Sequence, residues 1–209
     1  EALGALTGSF LDTSAPLDAG AYHNYASGSG ETANALSSAT IRAHPSIVED
    51  AQERANGEPD LRVQAKVEEI TSRSQLGLES ALGFTIYPAA DSPVPIITNE
   101  ELILLRSEAR WFTGDEEGAV EDLNLIRTEA GGLEPIAIPD SDAEYETALL
   151  RERRYSLLFE GHRWVDLRRF GRLDTLPLDL PTHTRQSRFP IPEAECLARG
   201  TDEACGAGS

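Results

Sequence analysis

Acidic residues stand side by side at three points of the sequence, and paired carboxylates are the groups that glycoside hydrolases use for catalysis. The adjacent pairs are Glu68-Glu69, Glu100-Glu101 and Glu116-Glu117. Neighbouring side chains diverge on a helix or a strand, whereas the two carboxyl groups of a glycosidase lie about 5–9.5 Å apart across a cleft. None of the three pairs is therefore a natural acid/base dyad.

Histidines and glycines also fail to form a reactive pattern. The four histidines, His23, His44, His162 and His183, are scattered without the spacing of metal ligands. The glycine-rich Gly28-Ser29-Gly30 lacks the pattern of a phosphate-binding loop. We therefore predict that the protein is not an enzyme, and that it holds neither a metal nor a cofactor.

One short segment has the composition of a carbohydrate-binding loop. Tyr22 and Tyr25 enclose His23 and Asn24 within a glycine-rich stretch. Aromatic faces lie well against the C–H surfaces of sugar rings, and amide or acidic groups bind the hydroxyls. We predict that Tyr22 and Tyr25 contact a ligand. The alternative is that the two tyrosines only anchor a loop on the core.

The two cysteines, Cys196 and Cys205, are nine residues apart near the end of the sequence. A disulfide between them would close a short loop and stabilise the fold by about 2–3 kcal/mol at most. Such a bond favours an exported protein. Two unrelated thiols are the alternative, and without a CxxC pattern or a nearby histidine a zinc site is not expected.

The formal net charge of −18 excludes the simplest form of nucleic-acid binding, because so acidic a surface repels phosphate. The sequence has no apolar run near the roughly 20 residues that a membrane-spanning helix needs. It begins at Glu1 and contains no Met. We expect it to be a fragment of a larger fold or a processed product.

Residues 1–97 are predicted to be irregular and rich in loops, with one short helix over 46–55. The segments 60–70 and 84–87 alternate weakly and are predicted as strands or extended loops. Two prolines in 91–95 fix the backbone and remove two donors, which indicates a boundary there.

Helix signals follow the proline segment. Thr98 with Glu101 and Ser141 with Glu144 are capping boxes, and Thr113-Gly114-Asp115 predicts a tight turn between two antiparallel helices. Two apolar stripes mark that hairpin, one of Leu102, Leu105, Ala109 and Phe112 and one of Ala119, Leu123, Ile126 and Ala130. The hairpin is built like a tetratricopeptide unit. We predict four helices over 98–171, and Gly161 should separate the third helix from the fourth.

Residues 150–170 carry a dense motif, LRERRYSLLFEGHRWVDLRRF. It resembles the signature of the SusD/RagB family, E-R-R-x-E-L-x-F-E-G-x-R-W-x-D-L-R-R, with Ser156 in place of the usual acidic residue. The charged and structural members of the match are Glu152, Arg153, Arg154, Glu160, Gly161, Arg163, Trp164, Asp166, Arg168 and Arg169. Asp60-Leu61-Arg62 is similar to the D-x-R that precedes the variable region of the family. The resemblance is strong over 91–195 and weaker over 1–90.

The arginines of the motif allow two interpretations. Arg forks bind carboxylates with two hydrogen bonds, so an Arg-lined surface is suited to an anionic ligand. The motif also contains acidic residues in comparable number, which favours a scaffold in which these charges fix how the helices cross. We prefer the scaffold.

The resemblance implies an all-α fold of tetratricopeptide-like helical hairpins with loop-rich flanks. It divides the sequence into an irregular segment 1–97, a helical region 98–195 and a polar tail 196–209. It also implies a surface-exposed lipoprotein of the outer membrane that binds an oligosaccharide or similar nutrient and passes it to a SusC-like TonB-dependent transporter. The alternatives are a helical-repeat scaffold that binds another protein and, with less support, an acid hydrolase. The sequence does not name the ligand.

Overall fold

The computed structural model of the chain describes residues 1–189 and 191–199. Its helices, α1 to α8, are Ala2–Thr7, Ser46–Glu49, Leu61–Lys66, Asn99–Trp111, Glu116–Glu129, Asp142–Ser156, His162–Arg169 and Glu193–Arg199. Its strands, β1 to β4, are Gly20–His23, Val67–Gln75, Leu78–Phe84 and Val94–Thr98, and short 3-10 turns span Ala35–Ser37 and Leu173–Thr175. The chain divides into two compact units, Glu1–Asp166 and a second that begins at Leu167.

The prediction of an all-α fold is wrong. The chain is 39% helix and 14% strand, with two antiparallel sheets of two strands each, β1 with β4 and β2 with β3. The β2–β3 hairpin shows little alternation because all of its residues from 71 to 79 are exposed. The pairing of β1 with β4 joins residues far apart in the sequence, such as Gly20 with Thr98. The segment 60–70, predicted as a strand or extended loop, is helical over Leu61–Lys66 and joins β2 only from Val67, so the sequence signal for these sheets is weak.

The proline segment is not a simple break between elements. Val94 and Pro95 belong to β4, and Pro95 lies opposite Tyr22 where the register of the β1–β4 pair shifts. Proline is tolerated in a sheet at such an irregularity because the missing N–H is not needed there. The predicted short helix over 46–55 is only the four residues of α2.

The four predicted helices of the 98–171 segment are confirmed. The Thr98 hydroxyl accepts a hydrogen bond from the Glu101 amide at 3.4 Å, and the Ser141 hydroxyl accepts one from Glu144 at 3.3 Å, so both caps begin helices. Gly161 has a φ of +85° between α6 and α7, a value that favours glycine. The hairpin of α4 and α5 packs on α6.

The core of the first unit lies among α4, α5 and α6. The second predicted stripe is buried at three of its four positions, since Ala119, Leu123 and Ile126 have no exposed surface and Ala130 is half-buried. The first stripe is only partly buried: Leu102 is buried, but Phe112 stays 50% exposed and the protein buries Trp111 in its place. A second cluster, made of Ala43, Ile47, Val63, Val67 and Tyr155, packs the N-terminal segment against α6.

The second unit contains the end of α7, the 3-10 turn Leu173–Thr175 and α8. Within it, the Arg169 guanidinium lies 4.2 Å from the centre of the Phe170 ring. Arg185 donates a hydrogen bond to the carbonyl of Leu176 at 2.8 Å. The domain limits at residues 97 and 195 stay predictions.

Candidate functional site

Glu152 on α6 is the meeting point of a buried charge network. Its carboxylate lies 2.7 Å from Arg62 and 2.9 Å from Arg127, so it joins α3 and α5 to α6. Arg62 also pairs with Asp60 at 2.6 Å and donates to the Ser156 hydroxyl at 3.0 Å. Buried charges are tolerated only when they are paired, and all four charged groups here are buried and paired. The serine that departs from the family pattern is thus a hydrogen-bond acceptor of this network.

Arg153 and Arg154 extend from the same helix in two other directions. Arg153 forms a buried ion pair with Asp166 at 2.7 Å, which ties α6 to α7. Arg154 pairs with Asp50 at 2.8 Å and donates to the Ser46 hydroxyl at 2.8 Å, which ties α6 to α2. These contacts use the guanidinium groups to hold helices together, in agreement with the scaffold interpretation.

The remaining members of the motif lie on α7. Arg163 donates to the carbonyl of Leu150 at 3.2 Å, and burial lowers its pKa to about 10. Trp164 is half-buried, whereas Arg168 and Arg169 are exposed. The side chains of the signature are thus distributed over two helices rather than gathered around one cavity.

The turn after α6 has an unusual backbone conformation. Phe159 has a φ of +69°, which is costly for a bulky side chain and is found mostly where the surroundings enforce it. Its ring stacks on Phe84 of β3, with centres 4.2 Å apart and planes inclined by 6°, and lies 5.7 Å from the ring of Tyr87. The aromatic contacts therefore hold this turn against the N-terminal segment.

Glu160, the next residue, has a strongly shifted pKa. Burial raises the pKa of its carboxyl to about 7, while the positive charge of Lys66 lowers it and Glu100 and Glu101 raise it further. Lys66 is the single lysine of the sequence. It donates to the carbonyls of Tyr155, at 3.0 Å, and Ser156 at the end of α6, and burial lowers its pKa.

Two tyrosines complete this region. Burial and the charges of Asp18, Glu160 and Glu100 raise the pKa of Tyr22, which donates to the Asp18 carbonyl at 2.5 Å. Burial, with Glu160 as the largest charge contribution, raises the pKa of Tyr87 to about 12. We call Tyr22, Phe84, Tyr87, Phe159 and Glu160 the aromatic–carboxylate cluster.

The protein places the two tyrosines chosen from the sequence differently. Tyr22 belongs to the aromatic–carboxylate cluster. Tyr25 is half-buried, and its ring packs edge-on against His23 with centres 4.6 Å apart. The sequence did not single out Phe84, Tyr87 or Lys66 as site residues, and the only local signal was that Lys66 is the single lysine.

Two surface clefts border this region within the first unit. The larger, of about 830 Å³, lies between residues 13–18, α3 and the start of α4, and is lined by Asp18, Lys66 and Glu100 among others. The smaller, of about 320 Å³, lies between residues 36–42 and the β2–β3 hairpin, and is bordered by Phe84 and Tyr87. Both volumes fall in the range of small-molecule sites, about 300–1,000 Å³.

The three acidic pairs of the sequence lie on three different elements, β2, α4 and α5. Glu68 and Glu69 are exposed on β2, and Glu116 and Glu117 are exposed in the first turn of α5. His162 lies 3.8 Å from a carboxylate oxygen of Glu101. Within residues 1–189 and 191–199, no group of three or more His, Cys, Asp or Glu side chains is arranged to hold a metal ion.

Two further observations concern the cysteines and the apolar character of the helices. Cys205 lies outside the described residues, so its disulfide with Cys196 stays a prediction. In the part of the chain that the structure describes, no helix has the length and apolar character needed to cross a bilayer.

Comparison with known families establishes to which family the chain belongs. The sequence pattern of the SusD family (SusD_RagB) matches residues 91–202, more than half of the chain. The chain belongs to the SusD family. The match includes α4 to α7 and therefore Glu152, Arg153 and Arg154, the members of α6 that form the ion pairs described above. A comparison with the curated proteins found no match.

Solved structures of SusD-like proteins are similar to this SusD-family chain over part of their length. One, a SusD superfamily protein from Bacteroides vulgatus, is 19% identical with a TM-score of 0.47, over 61% of this chain and 32% of that one. A SusD-like protein from Bacteroides fragilis is 27% identical with a TM-score of 0.39, over 44% and 20%. A SusD superfamily protein from Bacteroides fragilis is 18% identical with a TM-score of 0.49, over 70% and 39%. The chain thus spans about a third of the first of these relatives.

The pKa of Glu160 makes the stability of the protein depend on pH. Because the folded pKa of about 7 exceeds the ordinary value of 4.5, the folded protein binds this proton more tightly than the unfolded one. The resulting stability is fully present below about pH 4.5 and is lost as the pH rises through about 7. Glu160→Gln should therefore be more stable than the wild type at pH 8 and similar to it at pH 4.5, as measured by urea unfolding. Parallel stability curves for the two proteins across this range would contradict the assignment.

Proposed function

We propose that the protein is the nutrient-binding component of an outer-membrane uptake system, which binds an oligosaccharide or similar nutrient and passes it to a SusC-like TonB-dependent transporter. The observation that carries this proposal is the match of residues 91–202 to the SusD family. The proposal includes a lipid anchor and a location at the surface of the outer membrane. The proposal concerns the whole protein. The solved relatives are considerably longer than this chain.

We infer that the aromatic–carboxylate cluster contacts the ligand. Sugars bind to aromatic faces through their C–H surfaces and to carboxylates through their hydroxyls. Tyr22 is half-buried and the charge of Glu160 contributes to the raised pKa of its hydroxyl, and the large cleft is lined by the further carboxylates of Asp18 and Glu100. The affinity should be modest, because each sugar hydroxyl gives up hydrogen bonds to water on binding.

The proposed role is binding without chemical change. Among the described residues, Glu160, with a pKa of about 7, is the carboxyl group whose pKa is raised toward neutral, so a general-acid role would fall to it first. Incubation of the purified full-length protein with an oligosaccharide panel should yield bound ligand and no shortened products. Shortened products that disappear in Glu160→Gln would replace the binding proposal with a hydrolase.

Removing both candidate stacking faces should weaken ligand binding. In the double variant Tyr22→Ala/Tyr25→Ala, the dissociation constant for a glycan selected on an array should rise about tenfold or more, because two aromatic contacts are lost. Circular dichroism should stay that of the wild type, since neither tyrosine lies in the helical core.

The double variant Tyr22→Phe/Tyr25→Phe provides the matched control, because it keeps both rings and removes only the hydroxyls. It should bind within about threefold of the wild type, a change of less than 1 kcal/mol. Wild-type affinity in the alanine variant would exclude the two tyrosines as contacts and leave Phe84 and Tyr87 as the next candidates.

A further inference from the structure

The smaller cleft, of about 320 Å³, lies between the base of the β2–β3 hairpin and residues 36–42. Glu68 and Ile70 of β2 both line it, as expected for residues two apart on a strand, which share one face of a sheet. Gly83, opposite Glu68 on β3, leaves room for the Ile70 side chain, because a Cβ there would lie 2.6 Å from Ile70 Cδ1. The amide of Ala43 donates to a carbonyl of β3 at 2.9 Å, which holds the two walls of the cleft together.

Two opposite charges line this cleft without neutralising each other. Within the described residues, Arg42 and Glu68 form no ion pair, either with each other or with any other side chain. Other arginines of the first unit do bind carboxylates, such as Arg106 at 2.6 Å and Arg127 at 2.9 Å. The sequence has 36 acidic residues against 18 basic ones, so an arginine without a carboxylate partner is unexpected.

The guanidinium of Arg42 has one edge that is not in use. Its Nη1 donates to the carbonyls of Ala39 and Ile41, the second at 3.3 Å, which fixes the group beside the turn. Its Nε is buried and has no hydrogen-bond partner. Buried donors in folded proteins are nearly always paired, with a protein group, with water or with a ligand. Nε and Nη2 form an edge that can bind a carboxylate with two hydrogen bonds, so a carboxylate ligand would supply the missing acceptor.

Apolar side chains form much of the remaining wall. Four that are half-buried border the cleft, Leu36, Ile41, Ile70 and Phe84. The hydroxyls of Ser37 and Thr85 already donate to backbone carbonyls. The volume is at the lower end of the range for small-molecule sites, about 300–1,000 Å³, so the cleft suits one compact molecule with an apolar part rather than an oligosaccharide.

We propose that the smaller cleft is a second binding site, which takes a free α-amino acid with an apolar side chain. The carboxylate of the amino acid pairs with Arg42, its ammonium group pairs with Glu68, and its side chain contacts the apolar wall. The cleft shares Phe84 with the aromatic–carboxylate cluster, but neither Tyr22 nor Glu160 lines it. The proposal therefore goes beyond the proposed function and does not depend on it.

Other small ligands match the cleft less well. A simple anion would pair with Arg42 but would be repelled by Glu68, and a neutral monosaccharide would leave both charges without a partner. A metal ion would find a single carboxylate among the described residues that line the cleft. A compact molecule that carries both charges satisfies both side chains.

The test is calorimetric titration of the full-length protein with L-leucine and with two analogues that each lack one charge. Isocaproate is leucine without its ammonium group, and isoamylamine is leucine without its carboxylate. L-leucine should bind with a dissociation constant below about 1 mM, and each analogue should bind at least about tenfold more weakly, because one ion pair is lost. No binding of L-leucine, or an equal affinity for isocaproate, would overturn the proposal.

Two variants remove the charges one at a time. Glu68→Gln should weaken the binding of L-leucine at least about tenfold and leave that of isocaproate unchanged or stronger, since isocaproate has no ammonium group. Glu68 is exposed, so this variant should fold like the wild type. Arg42→Gln should weaken L-leucine in the same way and leave isoamylamine unchanged.

Glu69→Gln is the matched control, because Glu69 is the next residue on the same strand, is equally exposed and does not line the cleft. It should bind L-leucine within about twofold of the wild type. An equal loss in Glu69→Gln and Glu68→Gln would show an effect of surface charge alone and would overturn the proposal. So would a loss in Glu68→Gln that is the same for L-leucine and isocaproate.

Glycan binding by the same samples separates this site from the proposed function. A glycan selected on an array should bind to Glu68→Gln as tightly as to the wild type, and it should not displace L-leucine. Displacement would show that the two ligands occupy one site and would overturn the proposal of a second. A protein that binds L-leucine in the expected pattern but binds no glycan would support the amino-acid site and refute the proposed function alone.

Discussion

Glu152→Ala is expected to lower the free energy of unfolding by about 3–5 kcal/mol, the range for removing one partner of a buried ion pair. The Glu152 carboxylate is 1% exposed and lies 2.7 Å from Arg62 and 2.9 Å from Arg127. Without it, Arg62 keeps only Asp60 as a carboxylate partner. Arg127 keeps hydrogen bonds to Gln52 and to the carbonyl of Glu134, which do not neutralise its charge. The measurement is equilibrium unfolding in urea followed by circular dichroism.

Two further variants distinguish the effect of burial on stability from the effect of losing a charge alone. Glu58→Ala removes one partner of the Arg54–Glu58 ion pair, in which the Glu58 side chain is 58% exposed, and should cost at most about 1 kcal/mol. Glu152→Gln keeps an acceptor oxygen without the charge, so its effect should lie between those of the two alanine variants. A loss below about 1 kcal/mol in Glu152→Ala would show that water replaces the carboxylate, and that the network is not what joins α3, α5 and α6.

The helical half of the fold was predictable because its signals are local. Thr98 and Ser141 lie three residues before the glutamates whose amides they accept from, and Gly161 separates α6 from α7. The sheets were not predictable in the same way. Gly20 pairs with Thr98 across most of the first unit, and such a pairing leaves no trace in a short window of sequence. The exposed hairpin contains residues of mixed polarity on both faces, so no alternation marks it.

The candidate site was only partly predictable, because its residues come from distant segments. Tyr22 was chosen for its chemistry, and Glu160 was recognised as a member of the family motif. Glu160 follows Phe159, whose ring stacks on Phe84 and lies 5.7 Å from that of Tyr87, and these contacts depend on tertiary packing. The pKa of Glu160 depends on burial in the same way, and burial cannot be read from its position in the motif.

The first apolar stripe shows how a helix can be predicted correctly while the face that it buries is assigned wrongly. Spacing of three and four residues selected Leu105 and Phe112. Helices α5 and α6 pack instead against the face of α4 that contains Leu104 and Trp111. Leu105 and Phe112 instead line a groove between α1 and α4. Two overlapping stripes exist on α4, and only the packing of the other helices decides which of them is buried.

Trp111→Ala tests that assignment directly and is expected to lower the free energy of unfolding by about 3–5 kcal/mol, the range for truncating a large buried aromatic side chain. The Trp111 ring is 5% exposed and stacks on Tyr145 with centres 4.1 Å apart and planes inclined by 3°. Its indole N–H also donates to the Asp142 carboxylate at 2.8 Å, which fixes the start of α6. The variant therefore loses packing, stacking and a charge-assisted hydrogen bond together.

Phe112→Ala, one residue further along the same helix, is the matched control for this prediction. Phe112 is 50% exposed and meets Tyr145 only edge-on at 6.3 Å between ring centres, so its loss should cost about 1 kcal/mol or less. A loss of 3–5 kcal/mol corresponds to a fall in melting temperature of roughly 6–20 °C for a chain of this size, whereas the control should fall by no more than about 4 °C. Thermal unfolding followed by circular dichroism distinguishes the two variants. A larger fall for Phe112→Ala than for Trp111→Ala would show that α4 buries the face predicted from the sequence.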